Sequence, residues 1–200
     1  MIKAIIFDCG GVLHTSNGKF ISRDISKTFH ISEIQFHRTC HKLIPLLSTG
    51  KISEKIFWKK FILDSGSNSK IPSKSPWEKE YLARFKKNKD VLNIAKKLKN
   101  NGYKIAVLSN TISAHAKINK NRGLYNCFHY LFLSYKIGLS KPDPKMYFFA
   151  LNKLHTKAQE VLFIDDKIEN IKAAKKIGFD TILFTNGKKL KTELNKKGII

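Results

Sequence analysis

Three apolar runs in the sequence end on side chains of the type that phosphate chemistry needs. Ala4-Ile5-Ile6-Phe7 leads into Asp8, Ile105-Ala106-Val107-Leu108 into Ser109-Asn110, and Val161-Leu162-Phe163-Ile164 into Asp165-Asp166. Runs of this length, apolar without alternation, suit strands covered on both faces of a parallel sheet. In an open parallel α/β sheet the ligand sits beyond the carboxyl ends of the strands. If the runs are neighbouring strands, carboxylates, a hydroxyl and an amide from distant parts of the chain meet in one crevice. Such a constellation is expected to be catalytic.

The elements that must position these groups follow from periodicity and turn residues. After the first run, Gly10-Gly11-Val12-Leu13-His14 reads as a flexible exit and Ser16-Asn17-Gly18 as a turn. From about Phe20 to Phe85 the pattern is helical: Ile31, Ile34, Leu43 and Ile44 precede Pro45, and Ile52, Ile56, Phe57 and Phe61 recur at helical spacing after Gly50. Ser53-Glu54 is a helix-start signal, and 65–69 is a serine-rich loop. The strand–helix alternation then resumes. A helix carrying Val91, Leu92, Ile94, Ala95 and Leu98 stops at Asn100-Asn101-Gly102, where asparagine and glycine tolerate a left-handed cap. The Ile105 strand, a helix from about Ser113 and the run 130–134 follow. Lys141-Pro142-Asp143-Pro144 opens a further helix, and a last unit runs from Val161 through Ile177 to a strand at 181–184. The expected fold is a doubly wound α/β parallel sheet with an inserted α-helical block.

Bulk properties narrow the classes. Two hundred residues suit one domain or a core with a modest insert. No apolar stretch approaches a membrane span of about 20 residues, and no signal-peptide pattern opens the chain. Three scattered cysteines, Cys9, Cys40 and Cys127, argue for a reducing compartment, so a cytoplasmic location is expected. The formal charge of +23 invites a nucleic-acid partner. The cations are instead spread along the whole chain, mostly as lysine, in a background rich in Asn and Ile. That pattern is compositional and argues against nucleic acid, although the tail lysines 188, 189, 191, 196 and 197 could form a small basic patch.

With these motifs in order, the chain resembles the haloacid dehalogenase-like (HAD) hydrolases over nearly its whole length. The resemblance rests on Phe7-Asp8-Cys9-Gly10-Gly11-Val12-Leu13, Leu108-Ser109-Asn110, Lys141-Pro142-Asp143-Pro144, and Phe163-Ile164-Asp165-Asp166 with Asn170 downstream. It implies a Rossmann-like core formed by 1–15 and 86–200, with 16–85 as a helical cap of the subgroup whose insert follows the first motif. It implies a Mg²⁺-dependent phosphatase of small phosphorylated metabolites, with Asp8 as the nucleophile that forms an aspartyl phosphate. Mg²⁺, which favours oxygen ligands, would be held by Asp8, Asp165 and the backbone carbonyl of Gly10, with Asp166 assisting. Lys141 would supply positive charge beside Asp8 and the phosphate. Ser109 would donate a hydroxyl hydrogen bond, and Asn110 a backbone N–H near a helix start.

One position departs from the family pattern. A second aspartate usually stands two residues after the nucleophile and shuttles the proton; here that residue is Gly10. General acid–base catalysis is typically worth 10²–10⁴-fold, so three outcomes are open: a phosphatase for good leaving groups, a long-lived phosphoaspartate, or a catalytically weak binding or regulatory protein on the same frame. Dehalogenases of the superfamily also lack the second aspartate, but they use no Mg²⁺, which the Asp165-Asp166 pair argues against. His14 is the nearest titratable side chain that could replace the acid, its unperturbed pKa of about 6.5 suiting the task. His37, Cys40 and His41 lack further ligands nearby for a zinc site. Cys9 is expected to point away from the nucleophile's side of the strand and pack. Trp58 and Trp77 are expected in the insert's core, and Lys136 at the surface.

Overall fold

The computed structural model describes residues 1–15 and 18–200; Ser16 and Asn17 of the expected turn lie outside the described residues. The elements run β1 (Ala4–Phe7), β2 (His14–Thr15), α1 (Gly18–Thr28), α2 (Glu33–Ser48), α3 (Glu54–Ser65), α4 (Pro76–Arg84), β3 (Lys86–Lys87), α5 (Lys89–Asn100), β4 (Lys104–Ser109) and α6 (Ser113–Asn121). They continue with β5 (Tyr130–Leu133), α7 (Ser134–Ile137), α8 (Pro144–Leu154), β6 (Val161–Asp165), α9 (Ile168–Ile177), β7 (Asp180–Leu183) and α10 (Gly187–Lys196).

Five strands form one parallel sheet in the order β5-β4-β1-β6-β7. The chain builds outward from β1 on one side, then returns to β1 and builds outward on the other. The reversal lies between β1 and β6, and Asp8 and Asp165 stand at its two sides. Register fixes their level: Phe7 pairs with Ile164, so Asp8 and Asp165, each one residue further, are neighbours. The Asp8 N–H continues the ladder to the Ile164 carbonyl at 2.8 Å.

The continuous apolar runs are explained by covering on both faces. Ile5, Phe7, Ile105, Val107, Leu162 and Ile164 face α5 and α10, whereas Ala4, Ile6, Ala106, Leu108, Val161 and Phe163 face α8 and α9. The helix signals hold at Ser53, which caps α3 by accepting from the Ile56 N–H. They hold also at Asp143, which caps α8 ahead of Pro144, and at Gly178, which ends α9 with φ of 100°.

The exit from β1 is firmer than its glycines suggest. Leu13 N–H bonds the Cys9 carbonyl, Gly11 N–H bonds the His14 carbonyl, and Asn88 grips this turn from the start of α5 through the carbonyls of Val12 and Leu13. β2 then pairs antiparallel with β3, so the chain enters and leaves the helical insert side by side. Pro45 lies inside α2 rather than at its end. It costs the bond its N–H would have made to the carbonyl of His41, and the helix runs only three residues beyond it.

Helices α1–α4 carry their own apolar cluster around stacked Trp58 and Trp77, with ring centroids 5.4 Å apart. Ile112, Ala114 and Ile118 of the α6 region join this cluster, so the insert packs onto a helix of the sheet layer. Phe61 lies at its centre, fully buried, 5.2 Å from Phe29 and 5.3 Å from Trp58. Phe61→Ala is expected to destabilise the protein by about 3–5 kcal/mol, because it removes buried area and leaves a cavity. Chemical denaturation would show the midpoint shift; a loss below about 1 kcal/mol would mean the cluster collapses into the gap.

Candidate active site

At the carboxyl ends of β1 and β6 a single buried ammonium joins two carboxylates. Lys141 Nζ lies 2.5 Å from Asp8 Oδ1 and 2.7 Å from Asp165 Oδ2. Asp165 is fully buried and further held by two donors: Lys167 N–H donates to Oδ1 at 2.8 Å, and the Asn170 amide donates to both oxygens at 3.0 Å. Burial raises the Asp8 carboxyl to about 6, against the lowering pull of Lys141, with Asp165 adding repulsion. Burial alone would depress Lys141, but the two carboxylates outweigh it and its pKa is raised. Asp166 is also raised, first by burial and then by Asp165.

Asp8, Asp165 and Asp166 each offer an oxygen, and these oxygens lie within 4.8 Å of one another. Three hard carboxylate donors at this spacing fit a divalent cation that prefers oxygen, such as Mg²⁺. Gly11 makes the approach of Asp166 possible. It sits at φ of 86°, and a Cβ there would fall 2.1 Å from Asp166 Oδ2. Gly10 lies beside this turn in a bridge with His14.

Ser109, at the end of β4, is buried next to Asp8's side of the sheet. Asn110 does more than the sequence suggests. Its side-chain amide donates to the Lys141 carbonyl at 2.7 Å and accepts from the Lys141 N–H at 2.8 Å, holding the lysine's backbone in place. Asn170 likewise emerges as the residue that fixes the Asp165 carboxylate. Neither role is readable from local pattern, although an asparagine just after a strand-end aspartate or serine was the available signal.

His14 is 97% covered in the sense that only 3% of it remains exposed. It stacks on Phe85 with centroids 5.1 Å apart, and its Nε2 meets the Tyr81 hydroxyl at 2.8 Å. A Cβ on Gly10 would lie 3.9 Å from that nitrogen. Burial pushes the imidazole down to about 4, so it is neutral at pH 7. With Asn119 oriented so that its amide nitrogen donates to Tyr125 at 3.0 Å, Tyr81 gives its proton to Asn119 Oδ1 at 2.9 Å and accepts from His14 Nε2–H. Cys9 ends this buried network near Tyr125 and Asn119, its thiol pushed up by burial and by Asp8.

The other residues singled out in the sequence stand apart from this site. Trp58 is in the insert cluster, and Trp77 is both there and at the edge of a cavity beside the site. Cys40 is buried with its thiol raised to about 12, while His37 and His41 are exposed on the same helix. Lys136 is exposed in α7, near the Tyr135 ring.

Lys141→Met is expected to cost about 3–5 kcal/mol near pH 7.5 in chelator, since it leaves buried carboxylates without their cation. Removing the cation raises Asp8 further, so the folded variant keeps a proton that the unfolded chain releases. The deficit therefore grows as pH rises through about 6 and shrinks below it. Denaturation midpoints across pH would check this; a pH-independent deficit would mean that Lys141 acts by packing alone.

The family model described as haloacid dehalogenase-like hydrolase matches residues 2–178. The mouse bifunctional epoxide hydrolase 2 is 32% identical over 114 residues, 54% of this chain, and the match spans only 21% of that relative's length. A D-ribitol-5-phosphate phosphatase of Bacteroides thetaiotaomicron is 39% identical over 64 residues, covering 32% of this chain and 31% of the relative. A HAD family enzyme of Bacteroides thetaiotaomicron, solved with magnesium and inorganic phosphate, superposes with a TM-score of 0.80. It is 23% identical and covers 94% of this chain and 96% of its own, a likeness of fold.

Proposed function

The chain belongs to the haloacid dehalogenase-like hydrolase family, and from that premise we propose that it is a Mg²⁺-dependent phosphatase of small phosphate monoesters. The observation that carries this reading is the buried Asp8–Lys141–Asp165 arrangement with Asp166 beside it. Asp8 attacks phosphorus as the ester P–O bond breaks and the alcohol leaves, and it holds the phosphoryl group as an acyl phosphate that water then hydrolyses to free carboxylate and inorganic phosphate. A carboxylate approaching a phosphate dianion is repelled unless positive charge is already in place. Lys141 supplies part of that charge without having to move, because two carboxylates and the Asn110 clamp fix it. Mg²⁺, when bound by Asp8, Asp165, Asp166 and the Gly10 carbonyl, supplies the remaining charge neutralisation. Ser109 and the Asn110 backbone N–H serve the phosphoryl oxygens. Helices α1–α4 act as the cap, with 16–85 as one unit and 1–15 with 86–200 as the other.

For the place of the absent second aspartate, this reading assigns His14. Burial leaves the imidazole neutral at pH 7, with its Nε2 proton given to Tyr81, so it has no imidazolium proton for the leaving alkoxide and serves instead as a base toward the water that hydrolyses the acyl phosphate. Turnover is therefore expected to be faster with alcohols or phenols that leave readily. His14→Ala should slow metal-dependent turnover at least tenfold, within the range general acid–base groups contribute; an unchanged rate would remove His14 from the mechanism.

The direct test is phosphate release from a panel of metabolite phosphomonoesters, with Mg²⁺ and with chelator, beside Asp8→Asn. Metal-dependent release that disappears in Asp8→Asn is expected. Folded wild-type protein that releases no more phosphate than Asp8→Asn would instead favour a binding or regulatory protein, with Gly10 as the cause.

A further inference from the structure

Beside the nucleophile lies a cavity of about 250 Å³ between the sheet ends and the helical insert. Gly10, Ser109 and Asn110 form its floor, and Trp77, Tyr81 and His115 stand among its walls. Among the described residues that line it there is no lysine, arginine, aspartate or glutamate, in a chain where 38 of 200 residues are Lys or Arg. Tyr81 and His115 stack face to face at 3.9 Å with an angle of 12°, closing one wall with flat rings. Trp77 Nε1 and His115 Nε2 are buried and have no protein partner. Buried polar atoms without partners are costly and are normally met by water or ligand.

On the phosphatase reading above, we infer that this cavity takes the leaving group, and that it selects phosphate esters of small uncharged polyhydroxy alcohols over esters whose alcohol carries a carboxylate or second phosphate. Ring faces accommodate the C–H surface of a polyol, and its hydroxyls can accept from the indole N–H and pair with His115. An anionic leaving group entering the same space meets no counter-charge and loses its hydration. Burial pushes His115 down to about 3, so its ring adds no cation at pH 7.

The test compares esters of matched skeleton: glycerol 3-phosphate against 3-phosphoglycerate, and erythritol 4-phosphate against 4-phosphoerythronate, with p-nitrophenyl phosphate as the reporter of hydrolysis itself. A kcat/KM ratio of at least about 100 in favour of the uncharged member is expected, equivalent to two decades of discrimination by desolvation. His115→Arg places a cation in the wall and should narrow that ratio at least tenfold. Trp77→Phe keeps the ring, removes the N–H, and should raise KM for the uncharged esters by roughly 3–10-fold, the worth of one hydrogen bond. Hydrolysis of p-nitrophenyl phosphate with a polyol-to-carboxylate ratio near or below one would overturn the inference and leave the phosphatase reading intact. So would a ratio that neither folded variant changes. No release from any ester, p-nitrophenyl phosphate included, would defeat the phosphatase reading and this inference with it.

Discussion

The structure turns on one buried ammonium. Lys141 is almost wholly removed from water, and it stands there only because Asp8 and Asp165 face it from adjacent strands. Two carboxylates at that separation repel each other and resist burial, so neither side of the arrangement is stable without the other. The sheet order places both acids at the reversal of strand order, and the Asn110 and Asn170 amides hold the lysine backbone and the Asp165 carboxylate rigid. Dipoles and charges fixed in this way need no rearrangement when negative charge arrives, which is the main electrostatic advantage an enzyme has over water.

Net charge describes the chain poorly at this point. A protein with formal charge +23 concentrates three carboxyls and one ammonium at its functional end, and lines the adjoining cavity with neutral groups. The net positive charge sets a long-range field that favours the approach of anions. Once there, the three carboxylates fit a divalent cation, and the cavity offers hydrogen bonds and ring faces rather than charge. Attraction from afar and selection at close range are thus carried by different residues.

What could be read from sequence and what could not divides along a physical line. The sheet was legible because strands covered on both faces, such as Val161–Asp165, write themselves as unbroken apolar runs. Asp8, Ser109 and Asp165 were legible as polar residues at the ends of those runs. Relations that exist only after distant segments meet were not. The Asn110 side chain reaches Lys141 across 31 residues, and Gly11 is needed because Asp166 arrives against it from another strand end. The burial of His14 depends on Tyr81 and Phe85, at the far end of the insert. Pro45 sits within α2, three residues before its end, although proline commonly marks a helix stop.

The paired ribbon of β2 and β3 brings both ends of the helical insert to one point, with His14 opposite Lys87. Such an attachment invites transplantation: another insert with ends at the same spacing could be grafted without disturbing the sheet. The graft would fail if it stopped at the ribbon, because Ile112, Ala114 and Ile118 complete the insert's apolar cluster from outside it, and the Ser134 hydroxyl donates to the Ser48 carbonyl across the same seam. The unit that can be inherited or exchanged as a whole is therefore the insert together with the inward face of α6 and the start of α7, three stretches separated in the chain that must change in concert.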